Sequence, residues 1–209
     1  MTPVILFSLT VHEYSHGKVA FLLGDDTAHR LGRLSFNPLR HLDPFGVLFF
    51  YFVGFGWAKP VPVDLRNFLN PRRDMMYVSL AGPFSNIILA IFCGFFIRVI
   101  EPVEMPLLFY VLCFGLYINV ALAIFNMIPI FPLDGSSILK GIVSYEMASR
   151  IAQFDRVGGI IIIAVFLFDH FFRTGLLGFF IFTPVIKVVE ILTQEMFPLV
   201  RQLLGPGFG

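Results

Sequence analysis

Val11-His12-Glu13-Tyr14-Ser15-His16 lies inside the first apolar run of the chain, Val4 to Leu23, and the rest of the reading hangs on it. Residues four apart leave the same face of an α-helix, so the imidazoles of His12 and His16 can hold one Zn2+ between them, with Glu13 beside it to move a proton. An ionisable side chain at bilayer depth costs about 2.5–3.5 kcal/mol on insertion scales, so an apolar segment that keeps two histidines and a carboxylate keeps them for a function. The bland alternative is two core histidines and a chance glutamate in a buried soluble helix. It gives no role to the acidic partner found downstream.

Composition places the chain in a membrane. Of 209 residues, 57% are hydrophobic and 14% charged, with a mean hydropathy of +0.83, whereas an average soluble domain is about 25% charged. Spans and their connections fill this length, so one domain is the simplest organisation. A net charge of +1, with no Lys/Arg run interleaved with aromatics, argues against a nucleic-acid partner. Cys93 and Cys113 each sit in an apolar run outside any C-x-x-C pair and read as buried free thiols. The N-terminus lacks a basic leader and reads as a retained span, not a signal peptide.

Apolar runs near the roughly 20 residues a membrane helix needs predict spans at Pro3–Leu23, Met75–Ile97, Leu107–Ile128, Gly159–Phe172 and Gly175–Leu192. Between the first two, Leu31–Phe36 alternates like a strand, and Lys59–Val63, whose Pro60 and Pro62 exclude helix, reads as an edge strand. Phe45–Trp57 is apolar but short and glycine-containing, which predicts a re-entrant element packed beside the first helix. Ser136–Phe154 is amphipathic and reads as an interfacial helix. The tail after Pro198 reads as flexible. The predicted fold class is an all-α polytopic membrane protein with about five transmembrane helices plus a re-entrant element, and short β-strands in the long cytoplasmic segment. On that count Arg30, Arg33, Arg40, Lys59, Arg66, Arg72, Arg73, Lys140, Arg150, Arg156 and Arg201 share one side, while Arg98 and Arg173 lie opposite. The N-terminus is then outside and the C-terminus cytoplasmic.

A catalytic zinc takes three protein ligands and leaves one position open. Asp134 is the best third ligand, because Asn126-Met127-Ile128-Pro129-Ile130-Phe131-Pro132-Leu133-Asp134-Gly135 breaks a helix at the depth of the two histidines. His29, His41 and Asp43 remain rivals; His170 falls on the wrong face. Ser85 and Asn86 either support the metal or simply join helices. Val61, Val63 and Leu34 are candidate substrate-binding residues, since a peptide must be extended to be cut and can pair with an open strand edge. A metal-ion or proton-coupled transporter would also keep His, Glu and Asp within its spans. The tight His12, Glu13, His16 spacing and the lack of an evident inverted repeat stand against it.

These motifs together carry a resemblance. His12-Glu13-x-x-His16, Asn37-Pro38-x-x-His41-x-Asp43-Pro44, Gly82-Pro83-x-Ser85-Asn86 and Asn126-x-x-Pro129-x-x-Pro132-Leu133-Asp134-Gly135 resemble, in order and spacing, the site-2 protease family of intramembrane zinc metalloproteases. Compact members without PDZ or CBS domains are the most similar. The resemblance implies that His12, His16 and Asp134 bind one Zn2+, that Glu13 is the catalytic acid and base, and that Asn126 helps stabilise the reaction intermediate. It implies a multi-pass cell-membrane enzyme, embedded in the lipid bilayer, whose substrate is a single-span membrane protein or peptide. Residues 1–209 then form one metalloprotease domain, with a catalytic core at 1–135 and an interfacial helix and two-helix region at 136–196. A catalytically idle relative would look similar; the intact Glu13 counts against it.

Overall fold

The computed structural model describes residues 1–53, 56–176 and 178–205. Among these the chain forms nine α-helices: α1 (Thr2–Leu22), α2 (Thr27–Arg30), α3 (Pro44–Val53), α4 (Pro71–Val99), α5 (Pro106–Asn126), α6 (Asp134–Ile142), α7 (Tyr145–Phe172), α8 (Thr183–Thr193) and α9 (Phe197–Leu204). Short 3-10 turns at Pro38–Arg40, Leu65–Asn67 and Gln194–Met196 join them.

α4 is the member against which the site is laid. Pro71 stands in its first turn, where a missing N–H is harmless, and Asp74 accepts the N–H of Asn70 at 2.8 Å. α1, α5 and α6 all pack on it. α5 is buried nearly all round, through Phe109, Leu112, Cys113, Leu116 and Val120, and joins α4, α8 and α9 in the main apolar core.

α1 closes with Gly24 at φ +107°, which lets the N–H groups of Gly24 and Asp25 turn back to the carbonyls of Phe21 and Ala20. Asp25 is then fully buried and accepts from Thr27 N and Oγ1, Asp64 N and Asn67 Nδ2. That carboxylate ties the 64–67 turn to the end of α1. Asp25→Ala is expected to lower stability by about 2–3 kcal/mol, read as an earlier unfolding transition, because several buried donors lose their acceptor.

The structure corrects the predicted fold class. Among the described residues only α4, α5 and α7 are long and apolar enough to cross a membrane, not five helices. α1 has the length, but His12, Glu13, Tyr14, Ser15, His16 and Lys18 dilute its apolarity. In the predicted fifth span, of which Leu177 lies outside the described residues, Pro184 cannot donate to the preceding turn. The helix there splits into a π-turn at Gly178–Phe182 and an α8 of 11 residues. The cytoplasmic placement of the C-terminus rested on five crossings and loses that basis.

No β-strand forms among the described residues. Leu31–Phe36 is spent on turns, with Gly32 at φ +65° and the N–H groups of Arg33 and Leu34 both returning to Ala28 O. Among the described residues Lys59–Val63 pairs with no strand, and just before it stands a single bridge between Leu42 and Ala58. That bridge, with Lys59 N donating to His41 O at 2.8 Å, brings the two ends of the predicted re-entrant stretch together. Within it α3 exposes Phe45, Leu48 and Phe52, while Gly54 and Phe55 lie outside the described residues. Ser136–Phe154 is not one interfacial helix either. The chain breaks at Val143-Ser144, where Ser144 Oγ accepts Met147 N, and α7 runs on unbroken through Gly158 and Gly159. Gly158 marks a close approach, since a Cβ there would strike Phe131 O. Of the tail read as flexible, Pro206 to Gly209 lie outside the described residues.

Candidate metal centre

α1 and α4 meet at Gly82. A Cβ built there would lie 2.6 Å from both Cε1 and Nε2 of His12 and closer still to Nε2 of His16, so only hydrogen at this position lets the two imidazoles lie on the α4 backbone. The rings stand edge to face, 4.6 Å between centroids. Asp134, the first residue of α6, brings Oδ2 to 3.2 Å from His12 Nε2 and Oδ1 to 3.3 Å from His16 Nε2. Gly135 makes this turn possible, because a Cβ there would collide with the carbonyls of Met127 and Ile128. Arg72, from the first turn of α4, donates to the carbonyls of Lys140, Gly141 and Val143 and so anchors the far end of α6.

The outer ring nitrogens decide what the inner ones can do. His16 Nδ1 lies 2.7 Å from Val78 O, and a carbonyl only accepts, so Nδ1 carries the proton. His12 Nδ1 lies 2.6 Å from Asn86 Oδ1 and is a donor for the same reason. Both Nε2 atoms therefore present lone pairs, 3.0 Å apart, toward a carboxylate whose buried Oδ2 has no donor. Three acceptors converge with no proton among them. Their ligand atoms lie within 4.8 Å of one another, and this is the grouping that fits a cation: two imidazole nitrogens and one carboxylate oxygen suit Zn2+.

Glu13 is buried beside this group, and its Oε2 accepts the N–H of Val61 at 2.9 Å. The Val61 segment is itself clamped by Arg33 Nη2, which donates to Lys59 O at 2.8 Å and Pro60 O at 3.2 Å. Val61→Pro is expected to slow cleavage about 10- to 100-fold with zinc content unchanged, since one hydrogen bond to a charged group contributes about 1.5–3 kcal/mol. Zinc lost along with activity would contradict that assignment.

Other residues singled out in the sequence fall as follows. Val63 packs with Ala20, Phe68 and Val78, and Leu34 sits with Val61 against Gly17, so neither lies on an open strand edge. Ser85 Oγ returns to Gly82 O, and Asn126 Nδ2 returns to Leu122 O at 3.0 Å, each on its own helix. His41 Nε2 donates to the Ser35 carbonyl; Asp43 accepts Gly46 N at the start of α3; His29 packs on Phe21. None of His29, His41, Asp43 or His170 joins a metal-sized group among the described residues. Gly82 as the floor of the site and Val78 O as the partner of His16 were not apparent from the sequence. The Gly-Pro pair was a signal for the first; a backbone carbonyl leaves none.

The sequence model for peptidase family M50 matches residues 99–168, a stretch that contains Asp134. Over 171 residues the chain is 40% identical to the provisionally named zinc metalloprotease YwhC of Bacillus subtilis, covering 78% of each protein. The chain belongs to peptidase family M50. It is also 27% identical over 167 residues to the provisionally named zinc metalloprotease Rip2 of Mycolicibacterium smegmatis, covering 78% of this chain and 64% of Rip2. No solved structure matches it. M50 is the site-2 protease family that the motifs resemble, so the protein is a zinc metalloprotease, a membrane hydrolase of peptide bonds with Zn2+ as its cofactor.

Proposed function

We propose that this M50 enzyme cuts peptide bonds within or beside the transmembrane segments of single-span membrane proteins, in regulated proteolysis or signal-peptide clearance. The observation that carries the reading is where the metal group sits. His12, His16 and Asp134 form one group whose imidazoles lie on Gly82, which from Pro71 is about 16 Å along a helix apolar enough to span the bilayer.

In this reading His12, His16 and Asp134 hold the zinc. When bound, zinc polarises the scissile carbonyl and makes a water acidic enough to attack near neutral pH. Glu13, aimed by the Val61 N–H, takes the proton from the attacking water and passes it to the leaving amine. Asn126 donates to the developing oxyanion once its amide lets go of Leu122 O. Residues 1–209 act as one metalloprotease domain, with α6 tied to α4 through Arg72. Arg30, Arg33, Arg40, Lys59, Arg66, Arg72 and Arg73 all lie between the end of α1 and the first turn of α4, and in this reading that basic end faces the cytoplasm.

The test is to incubate the full chain, in bilayer discs, with a single-span reporter and to map the new termini by mass spectrometry. Cuts inside or at the edge of the apolar segment are expected. Cuts confined to the reporter's soluble loops would replace this reading with that of a membrane-anchored protease for soluble segments.

A further inference from the structure

The polar contacts behind His12 continue into a third helix. Asn119, on α5, donates through Nδ2 to Gly115 O at 2.8 Å and to Ser8 Oγ at 2.9 Å, and accepts through Oδ1 from Asn86 Nδ2 at 2.8 Å. Ser8, His12, Asn86 and Asn119 are all buried.

The order of these bonds gives them a direction. A backbone carbonyl only accepts, so Gly115 O fixes which end of the Asn119 amide carries the N–H groups. Asn119 Oδ1, 2.8 Å from Asn86 Nδ2, then fixes the N–H end of that amide, with Ser8 O a longer second acceptor at 3.4 Å. Asn86 Oδ1 in turn faces His12 and requires a proton on Nδ1. A flipped Asn86 would offer N–H groups to Nδ1, drive the imidazole proton to Nε2, and point it at His16 Nε2, 3.0 Å away, in the space a metal needs. His16 needs no such relay, because Val78 O sets its tautomer directly.

We propose that Asn119 is a positioning residue: acting through Asn86, it sets the tautomer of His12 and keeps Nε2 open to zinc. The inference rests on His12 being a zinc ligand. Plain helix-to-helix adhesion would not require the amides to run in one direction; zinc binding does.

The experiment uses the full chain in detergent, labelled with 15N-histidine, and reads two quantities: the tautomer of His12 in the metal-free protein by NMR, and zinc affinity by chelator competition. The wild-type chain should show His12 protonated at Nδ1. Asn119→Leu should shift His12 toward the Nε2–H form and weaken zinc about 10- to 100-fold, the usual loss when a metal ligand's hydrogen-bonding partner is removed. Asn119→Asp should restore both, because a buried neutral carboxyl can donate to Gly115 O and still accept from Asn86. A wild-type His12 protonated at Nε2 overturns the relay, as does wild-type zinc affinity in Asn119→Leu. Equal losses in the Leu and Asp variants would reduce Asn119 to packing. If Asn119→Leu does not fold, Asn119→Ala is read in the same two ways, since the wild-type tautomer reports on Asn86 and not on Asn119. A wild-type chain that binds no zinc would instead defeat the metal assignment, and the tautomer would still report on the relay.

Discussion

Glu13→Gln is expected to lower cleavage about 10²- to 10⁴-fold, the range over which a positioned general base acts, while zinc content stays that of the wild type. Gln keeps the length of Glu and keeps an oxygen to accept the Val61 N–H, so the Lys59–Val63 segment and its Arg33 clamp have no cause to move. The side chain is not among the converging acceptors at His12, His16 and Asp134. Only the capacity to take a proton is removed. Metal analysis and reporter cleavage on one preparation check this, and loss of zinc together with activity would show that Glu13 is a ligand or a support, not the base.

Gly82→Ala is expected to act in the opposite order, on zinc first and on cleavage as a result. Its methyl group would fall 2.6 Å from two atoms of the His12 ring, and neither side can easily yield. His12 is held from behind by Asn86, His16 by Val78 O, and Gly82 is buried in α4. Either an imidazole leaves its partner or the α1–α4 spacing grows. Displacements of about 1 Å in catalytic groups cost about 10²-fold in rate, so cleavage should fall at least that far and zinc should drop below one per chain. Normal zinc loading and cleavage in Gly82→Ala would mean that the two helices do not meet as described.

The grouping of His12, His16 and Asp134 was legible because its parts are chemically costly in an apolar chain. Two histidines four apart, and an aspartate after paired prolines, stand out from any hydrophobic background. Asn86 stood out for the same reason, whereas Asn119 was visible but had no partner until α4 and α5 were placed side by side. Gly82 carried no role on sequence alone, because a sequence does not show what a missing side chain makes room for. The fold was less legible. Apolar length suggested spans, but Pro184 splits one of them, and Gly158, read as near the start of a span, instead marks where the Asn126–Asp134 turn crosses α7. The strand-like stretches failed because alternation describes side chains only. At Leu31–Phe36 the backbone groups go to turns, and at Val61 the N–H goes to Glu13.

The most direct test of the central claim is X-ray absorption at the zinc edge on the purified chain and on Asp134→Ala. One zinc per wild-type chain is expected, with two imidazole nitrogens and a carboxylate oxygen at about 2.0–2.2 Å and no sulfur. Asp134→Ala should lose the carboxylate oxygen or the metal altogether. Sulfur in the first shell, or a spectrum and stoichiometry that Asp134→Ala leaves unchanged, would contradict a zinc centre built from His12, His16 and Asp134.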